Sequence, residues 1–339
     1  MTVPIFDGHN DALARLWAWG DHDGRSFLDP TARPVPGRGS WPYDHLDLPR
    51  ARAGGFGGGL FACFVPPVKG RPRPQPEALA VVLAQSAILR RMERASQGAV
   101  RQCRTAAEVE ASSGLAVVLH LEASDAIDPG LDALEVLHAA GLRSLGLVWN
   151  HANAFATGIP FRRGTPEDGP GLTDAGRALV RACDELGILI DVSHLNAAGL
   201  RDVAEVSRNP FVASHSNVHA LAPTSRNLTD DQLAILAERR GLVGLNFGTS
   251  FLREDLSRTP DTPLETMLRH LDVLRDRLGE HGVGFGSDLD GADPPDPIGD
   301  ASGLQALPAA LRRHGWSTDA VERVARTNWL RILAAVTRA

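Results

Sequence analysis

Apolar and polar positions alternate along the chain on two periods, and the period changes regularly from strand-like to helix-like. Short apolar runs predict strands near Val3–His9, Gly58–Val65, Ala116–Glu122, Ser144–Trp149, Ile188–His194, Pro210–His215, Leu242–Phe247 and Val283–Asp288. Between them the apolar spacing is helical. Pro76–Gln97 carries Leu79, Val82, Leu83 and Leu89, and Thr173–Leu186 offers Leu179, Val180 and Cys183. Thr229–Arg239 opens with a threonine cap and an acidic first turn, then places Leu233, Leu236 and Ala237 on one stripe. Gly187 and Gly241 fall where a helix ends and the next strand begins.

Eight strand–helix alternations without a GxGxxG fingerprint predict a closed (β/α)8 TIM-type barrel, an α/β fold, spanning residues 1–339 as a single domain. The excess length lies in Gly-, Pro- and Arg-rich loops at 20–49, 66–76 and 159–171. Each follows a strand and so belongs at the C-terminal rim, where barrels build their sites.

Composition narrows the function classes. A net charge of −6 with interspersed signs gives no basic stripe for nucleic acid. No run is long and uncharged enough for a membrane span, and no leader pattern precedes the first strand, so the expectation is a cytoplasmic protein without a membrane partner. Cys63, Cys103 and Cys183 are widely spaced and read as reduced thiols rather than a zinc knuckle.

The chemistry sits at the strand ends. Asp7-Gly8-His9-Asn10-Asp11 offers two metal-type side chains two residues apart, and four later runs finish on Glu122, His194, His215 and Asp288. A barrel brings all of these to one mouth. Three imidazoles with the carboxylates Asp11 and Glu122 suit Zn²⁺, with Mn²⁺ or Co²⁺ as alternatives. Five ligands exceed the needs of one tetrahedral zinc with an open position and so point to two ions. Glu122, on the third strand between the His-x-Asp strand and the histidine strands, is the natural bridge. The chain's single lysine, Lys69, sits in the Pro-rich loop and ends no strand, which leaves no carboxylated-lysine bridge. Two such ions lower the pKa of a shared water and polarise a carbonyl. Asp288 is placed to act first as general base and then as general acid.

Taken together, Asp7–Asp11, Asp47-Leu48-Pro49-Arg50-Ala51-Arg52-Ala53-Gly54-Gly55, Leu121-Glu122, Ile190–His194, Ala213-Ser214-His215-Ser216, Ser225-Arg226-Asn227 and Gly284–Gly291 resemble the membrane dipeptidase (renal dipeptidase) family of zinc peptidases over nearly the whole length. The resemblance implies a two-zinc (β/α)8 barrel, with His9 and Asp11 on one zinc, His194 and His215 on the other, and Glu122 bridging. It also implies Asp288 as the proton carrier, Arg226 as the group that binds the substrate carboxylate, a small dipeptide as substrate with a D-residue tolerated on its C-terminal side, and a homodimer as an accessible assembly. Two positions depart from the animal enzymes. Trp149 stands where they carry a histidine at the scissile carbonyl, with His151 two residues on, and Gly248 stands where they carry a tyrosine that helps hold the carboxylate.

Other readings stay open at this point. A barrel hydrolase acting on a lactone, cyclic amide or β-lactam fits the departures at Trp149 and Gly248, and a catalytically silent metal-binding scaffold fits the ligand set alone. His120, His138, His270, His281 and His314 read as core or structural histidines, with His120 nearest the site because it shares a strand face with Glu122. Asp191 and Asp290 read as supporting acids, His219 as a loop or substrate-proximal residue, and Trp149 equally as a hydrophobic wall or a substrate contact.

Overall fold

The computed structural model describes residues 2–34, 41–165 and 169–338. Parts of two expected loops, 35–40 and 166–168, lie outside the described residues. Among the described residues nine parallel strands form the sheet: β1 (Ile5–Asn10), β2 (Phe56–Cys63), β3 (Val100–Gln102), β4 (Leu115–Leu121), β5 (Leu142–Gly146), β6 (Leu189–Asp191), β7 (Val212–Ala213), β8 (Leu242–Leu245) and β9 (Val283–Phe285). The order β2-β1-β9-β8-β7-β6-β5-β4 closes on itself through β2 and β4, which pair from Gly58↔Ala116 to Cys63↔Leu121. This is the expected eight-stranded barrel. The ninth strand, β3, has no counterpart in the sequence reading; it pairs with Leu115–Val117 of β4, whose Leu119–Leu121 go to β5. Three residues are too few to leave a periodic signal.

Alternation along each strand divides adjacent residues between two cores. Phe6, Leu60, Val118, Leu189, Val212 and Leu242 pack together with Trp329, Leu330 and Leu333 of the last helix, Asn328–Val336. Their neighbours Ile5, Phe61, Val117, Ile190, Ala213 and Val243 pack into the larger layer under the surrounding helices. Trp329 is fully buried and donates its indole N–H to the carbonyl of Phe285 at 2.9 Å. Gly8 and Gly284 make room for it, since a Cβ on either would stand 2.2 or 2.4 Å from the indole.

The helices follow their expected caps. Thr173 accepts from Gly176 N ahead of Asp174–Leu186, which ends on the left-handed Gly187 (φ 71°). Thr229 and Gln232 close a reciprocal capping box before Asp230–Glu238. The expected helix 76–97 runs over Gln75–Ala95. No helix among the described residues is long and apolar enough to cross a membrane, and all three cysteines are buried free thiols.

Strand ends differ most from the sequence reading. The runs expected to reach His194, His215 and Asp288 leave the ladder at Asp191, Ala213 and Phe285. Replacing Trp329 with alanine should cost about 3–5 kcal/mol of stability, the range for deleting a large buried aromatic. Urea denaturation of the variant measures this, and a loss below 1 kcal/mol would mean that the interior cluster does not depend on the indole.

Candidate metal centre and substrate cavity

The donors reach the rim because the backbone leaves regular geometry at each of them. The β1–β2 pairing shifts register twice, between Ile5 and Phe6 and again between Asp7 and Asn10. Gly8 faces the interior indole, and the irregularity lets the next side chain, His9, turn inward as well. Asp11 stands just beyond β1 as the N-cap of helix Ala12–Ala18, with an oxygen 3.7 Å from His9 Nε2. His194 and Asp288 follow β6 and β9 in left-handed backbone (φ 67° and 58°), and Asp290 does the same (φ 67°). Non-glycine residues there cost of order 1–3 kcal/mol each, and such strain concentrates at functional sites.

His9, Asp11 and Glu122 form one group whose ligating atoms lie within 4.8 Å of one another, and Glu122, His194 and His215 form a second. Glu122 belongs to both. Its Oε1 is 3.2 Å from His194 Nε2 and 3.9 Å from His215 Nε2. All five side chains are buried.

The hydrogen bonds assign the histidine protons. His194 Nδ1 lies 2.9 Å from Asn150 Oδ1, which accepts only, so Nδ1 carries the hydrogen. His215 Nδ1 lies 2.7 Å from Ser214 Oγ, whose own hydrogen goes to Asp191 Oδ2, so His215 is protonated at Nδ1 too. Asp191 also accepts from the backbone N–H groups of Ser193 (2.9 Å) and Ser214 (2.8 Å). Both rings therefore turn bare Nε2 atoms into the site, and these face each other at 3.0 Å. Burial, reinforced by the charges of Arg226 and His9, holds both pKa values well below the ordinary imidazole range, so neither Nε2 gains a proton to bond the other.

Facing lone pairs with a carboxylate oxygen beside them are complemented by a cation. Among the described residues neither ring nitrogen of His9 nor Oδ1 of Asp11 has a hydrogen-bond partner, although these atoms are buried. Burial pulls the His9 pKa down, but Asp11 and Glu122 outweigh it and raise it to about 10. Burial and the neighbouring Asp11 raise Glu122 well above the usual carboxylate range. Buried donors without partners, acidic and imidazole in kind, fit metal ions of the zinc class.

Asp288 borders the same centre. Asn246 Nδ2 donates to its Oδ2 at 2.9 Å, leaving Oδ1 free to face the donors. A Cβ on Gly291 would stand 2.2 Å from both Asp288 Oδ1 and Asp11 Oδ2, so only glycine lets the chain pass there. Burial raises the Asp288 pKa to about 6 against the opposing charge of His9.

A cavity of about 270 Å³ opens onto these groups, lined by Asp11, Glu122, His194, His215, Arg226 and Asp288 on its inner side. Its aromatic walls include Trp41, Tyr43, Phe64, Trp149 and Phe251. Arg226 is buried. Its Nη2 and Nη1 reach His215 O (3.1 Å) and Ser216 Oγ (3.4 Å), while Nε has no partner among the described residues. Trp149 is a wall residue, edge-on to Phe64 at 5.1 Å and tilted against His194 at 6.2 Å. His151 turns away to Asp125 (3.0 Å) and does not line the cavity. Gly248 is not in the lining either. Its N–H is held by Asn246 Oδ1, a Cβ would crowd Phe251 and Ala292, and the following Thr249, Ser250 and Phe251 form that wall.

His120 lies edge-on to His9 at 5.5 Å and bonds Ser144, outside both donor groups. His270 is a satisfied core histidine between Val218 N and Leu252 O. The sequence reading gave no role to Asn150, Ser214, Asn246 or Gly291. Asn150 and Asn246 were visible as polar residues at the ends of apolar runs, a position that calls for a partner.

The sequence model of the membrane dipeptidase family (peptidase family M19) matches residues 1–339. An uncharacterised Klebsiella pneumoniae protein from the pqqA 5′ region is 42% identical over 260 residues, covering 76% of this chain and 96% of its own. The crystal structure of a metallo peptidase from Rhodobacter sphaeroides, liganded with a phosphinate mimic of the dipeptide L-Ala-D-Ala, superposes with a TM-score of 0.92 at 45% identity, covering 99% of this chain and 100% of the other. The metallo peptidase dipeptidase AC superposes with a TM-score of 0.93 at 47% identity, covering 100% of both.

The hydrogen-bond chain behind His215 yields a prediction. Asp191→Asn should weaken ion affinity about 10–100-fold, the usual scale for losing a group that orients a metal-ligating histidine. Competition with a chromophoric chelator measures it, and parental affinity in the variant would mean that Asp191 and Ser214 do not set the ring.

Proposed function

The chain belongs to the membrane dipeptidase family and is a metal-dependent dipeptidase, and from that premise we propose that it is a binuclear zinc enzyme that hydrolyses L,L- and L,D-dipeptides. His9, Asp11 and Glu122 would hold one ion and Glu122, His194 and His215 the other, with Glu122 shared. The observation that carries this is the pair of bare Nε2 atoms facing each other at 3.0 Å beside the Glu122 carboxylate. When bound, the ions supply Lewis acidity, lowering the pKa of water and polarising the scissile carbonyl.

The chain's own residues account for the remaining steps. Arg226, which lines the cavity, offers its remaining in-plane N–H donors to the free carboxylate of the substrate, a planar acceptor that suits its fork. Asp288, fixed by Asn246 at Oδ2, takes a proton from the attacking water at Oδ1 and delivers it to the departing amine. Its raised pKa suits both halves of that exchange near neutrality. Trp149 and Phe64 exclude water from one side of the bond. Tolerance of a D-residue at the C-terminal position draws support from the relative holding an L-Ala-D-Ala mimic.

Metal analysis of the purified protein together with a panel of L,L- and L,D-dipeptides tests the reading. Two zinc equivalents with cleavage of both series support it; one equivalent, or no cleavage, refutes it. Asp288→Asn should keep its metal and lose about 10² or more in kcat. A fully active variant would remove Asp288 from the reaction. Arg226→Ala should raise KM for free dipeptides far more than for their C-terminal amides, and equal effects on both would rule out the carboxylate contact.

A further inference from the structure

One wall of the cavity is made by a stretch without regular secondary structure, residues 41–47, which carries Trp41 and Tyr43. Ion pairs hold it in place. Arg15, fully buried on the helix that starts from Asp11, donates Nε to Asp290 Oδ2 at 2.9 Å, Nη1 to Asp44 Oδ1 at 3.1 Å and Nη2 to the carbonyl of Leu46. Asp44 receives two more guanidiniums, Arg50 Nη2 at 2.6 Å and Arg33 Nε at 3.2 Å. Asp290, also fully buried, accepts from His45 N, and its carbonyl accepts from the Trp41 indole. The carbonyl of Trp41 takes the Trp19 indole N–H at 3.1 Å, and Arg15 stacks over the Trp19 ring at 4.7 Å.

The contacts join three parts of the site. Asp290 lies two residues after Asp288, Arg15 lies one helical turn after Asp11, and Trp41 and Tyr43 face the substrate space. From Trp41 the aromatic wall continues through Phe64 (6.0 Å) and Trp149 to His194.

We propose that Asp44, Arg15 and Asp290 form a clasp that sets the Trp41–Tyr43 wall against the Asp288–Asp290 turn, making Asp44 and Arg15 positioning residues for substrate. The role rests on the dipeptidase reading of the cavity. Asp44 is its most accessible member, with 31% of its side chain exposed, and it gathers three arginines onto one carboxylate without touching a metal-type donor. Without its carboxylate the stretch loses one of its two bonds to Arg15 and a contact each to Arg33 and Arg50, which then hold it through Asp47 and, for Arg50, the Asp44 carbonyl, while the barrel and the donor groups keep every bond named above. Substrate fit then suffers and the reacting groups do not, because displacing a wall by about 1 Å is enough to lose binding geometry.

The test is Asp44→Asn in the metal-loaded enzyme, beside Asp23→Asn, which removes only an exposed pair with Arg25, as a charge control. Hydrogen exchange is read by mass spectrometry over residues 41–47, and KM, kcat, metal content and Tm are measured with L-Ala-D-Ala and L-Ala-L-Ala. The clasp predicts faster exchange confined to that stretch and KM raised by roughly tenfold or more, with kcat within about twofold and metal content and Tm close to the parent. Unchanged exchange overturns it. So does faster exchange with an unchanged KM, or a fall in kcat that follows loss of metal or of Tm, since those mark a purely structural acid. Asp44→Glu, which keeps the charge, should restore most of the affinity, and failure to do so also counts against the clasp. A parent enzyme that cleaves no dipeptide would count against the functional reading alone, while exchange in the 41–47 stretch still decides whether the clasp exists.

Discussion

Two imidazole nitrogens 3.0 Å apart, each with its proton held on the far side of its ring, set the terms for the rest of this molecule. Such a pair repels in a buried space unless positive charge lies against both. The arrangement is enforced from behind. Asn150 fixes one ring, the Asp191–Ser214 pair fixes the other, and Asp191 is itself anchored by two backbone amides. The left-handed turns at His194 and Asp288 add local strain, and the surrounding barrel must offset it. A short-stranded parallel barrel is suited to this because its large helical layer and its interior cluster around Trp329 supply stability away from the rim.

Much of this was legible in the chain. Apolar runs ending in His or an acid gave the barrel and a set of candidate donors, and the structure brings those side chains together on one rim. What periodicity could not reveal is how the chain behaves after the ladder stops. The expected strands ran on through His194, His215 and Asp288, yet these residues stand beyond the ends of β6, β7 and β9. A left-handed His or Asp leaves no mark on a hydrophobic pattern. The register irregularity that turns His9 inward is equally silent. Asn150, Ser214 and Asn246 escaped notice for a different reason: they act on atoms of other side chains, and a partner distant in sequence can be identified only when the fold brings it near.

The substrate side shows the same division. Arg226 was readable from its motif, but its burial and its unpartnered Nε were not. Trp149 stands in an aromatic row that leads to His194 and lines the cavity, the wall position that was one of its two expected roles. At Gly248 packing decides: the residue is hemmed in by Phe251, Ala292 and Asn246, and the neighbouring Thr249–Phe251 wall meets the cavity instead. The Asp47–Gly55 motif, which carried family resemblance without an evident role, supplies Asp47 and Arg50 to the ion-pair cluster behind Trp41 and Tyr43. The candidate donors, Asp288 and the Trp41–Tyr43 wall are thus each braced by polar contacts on one rim.

Diffraction from crystals of the zinc-loaded protein, recorded on both sides of the zinc absorption edge, puts the central claim to its most direct test. The account predicts two anomalous peaks, one among His9, Asp11 and Glu122 and one among Glu122, His194 and His215, with the Glu122 carboxylate between them. A single peak, or peaks away from these side chains, would contradict it.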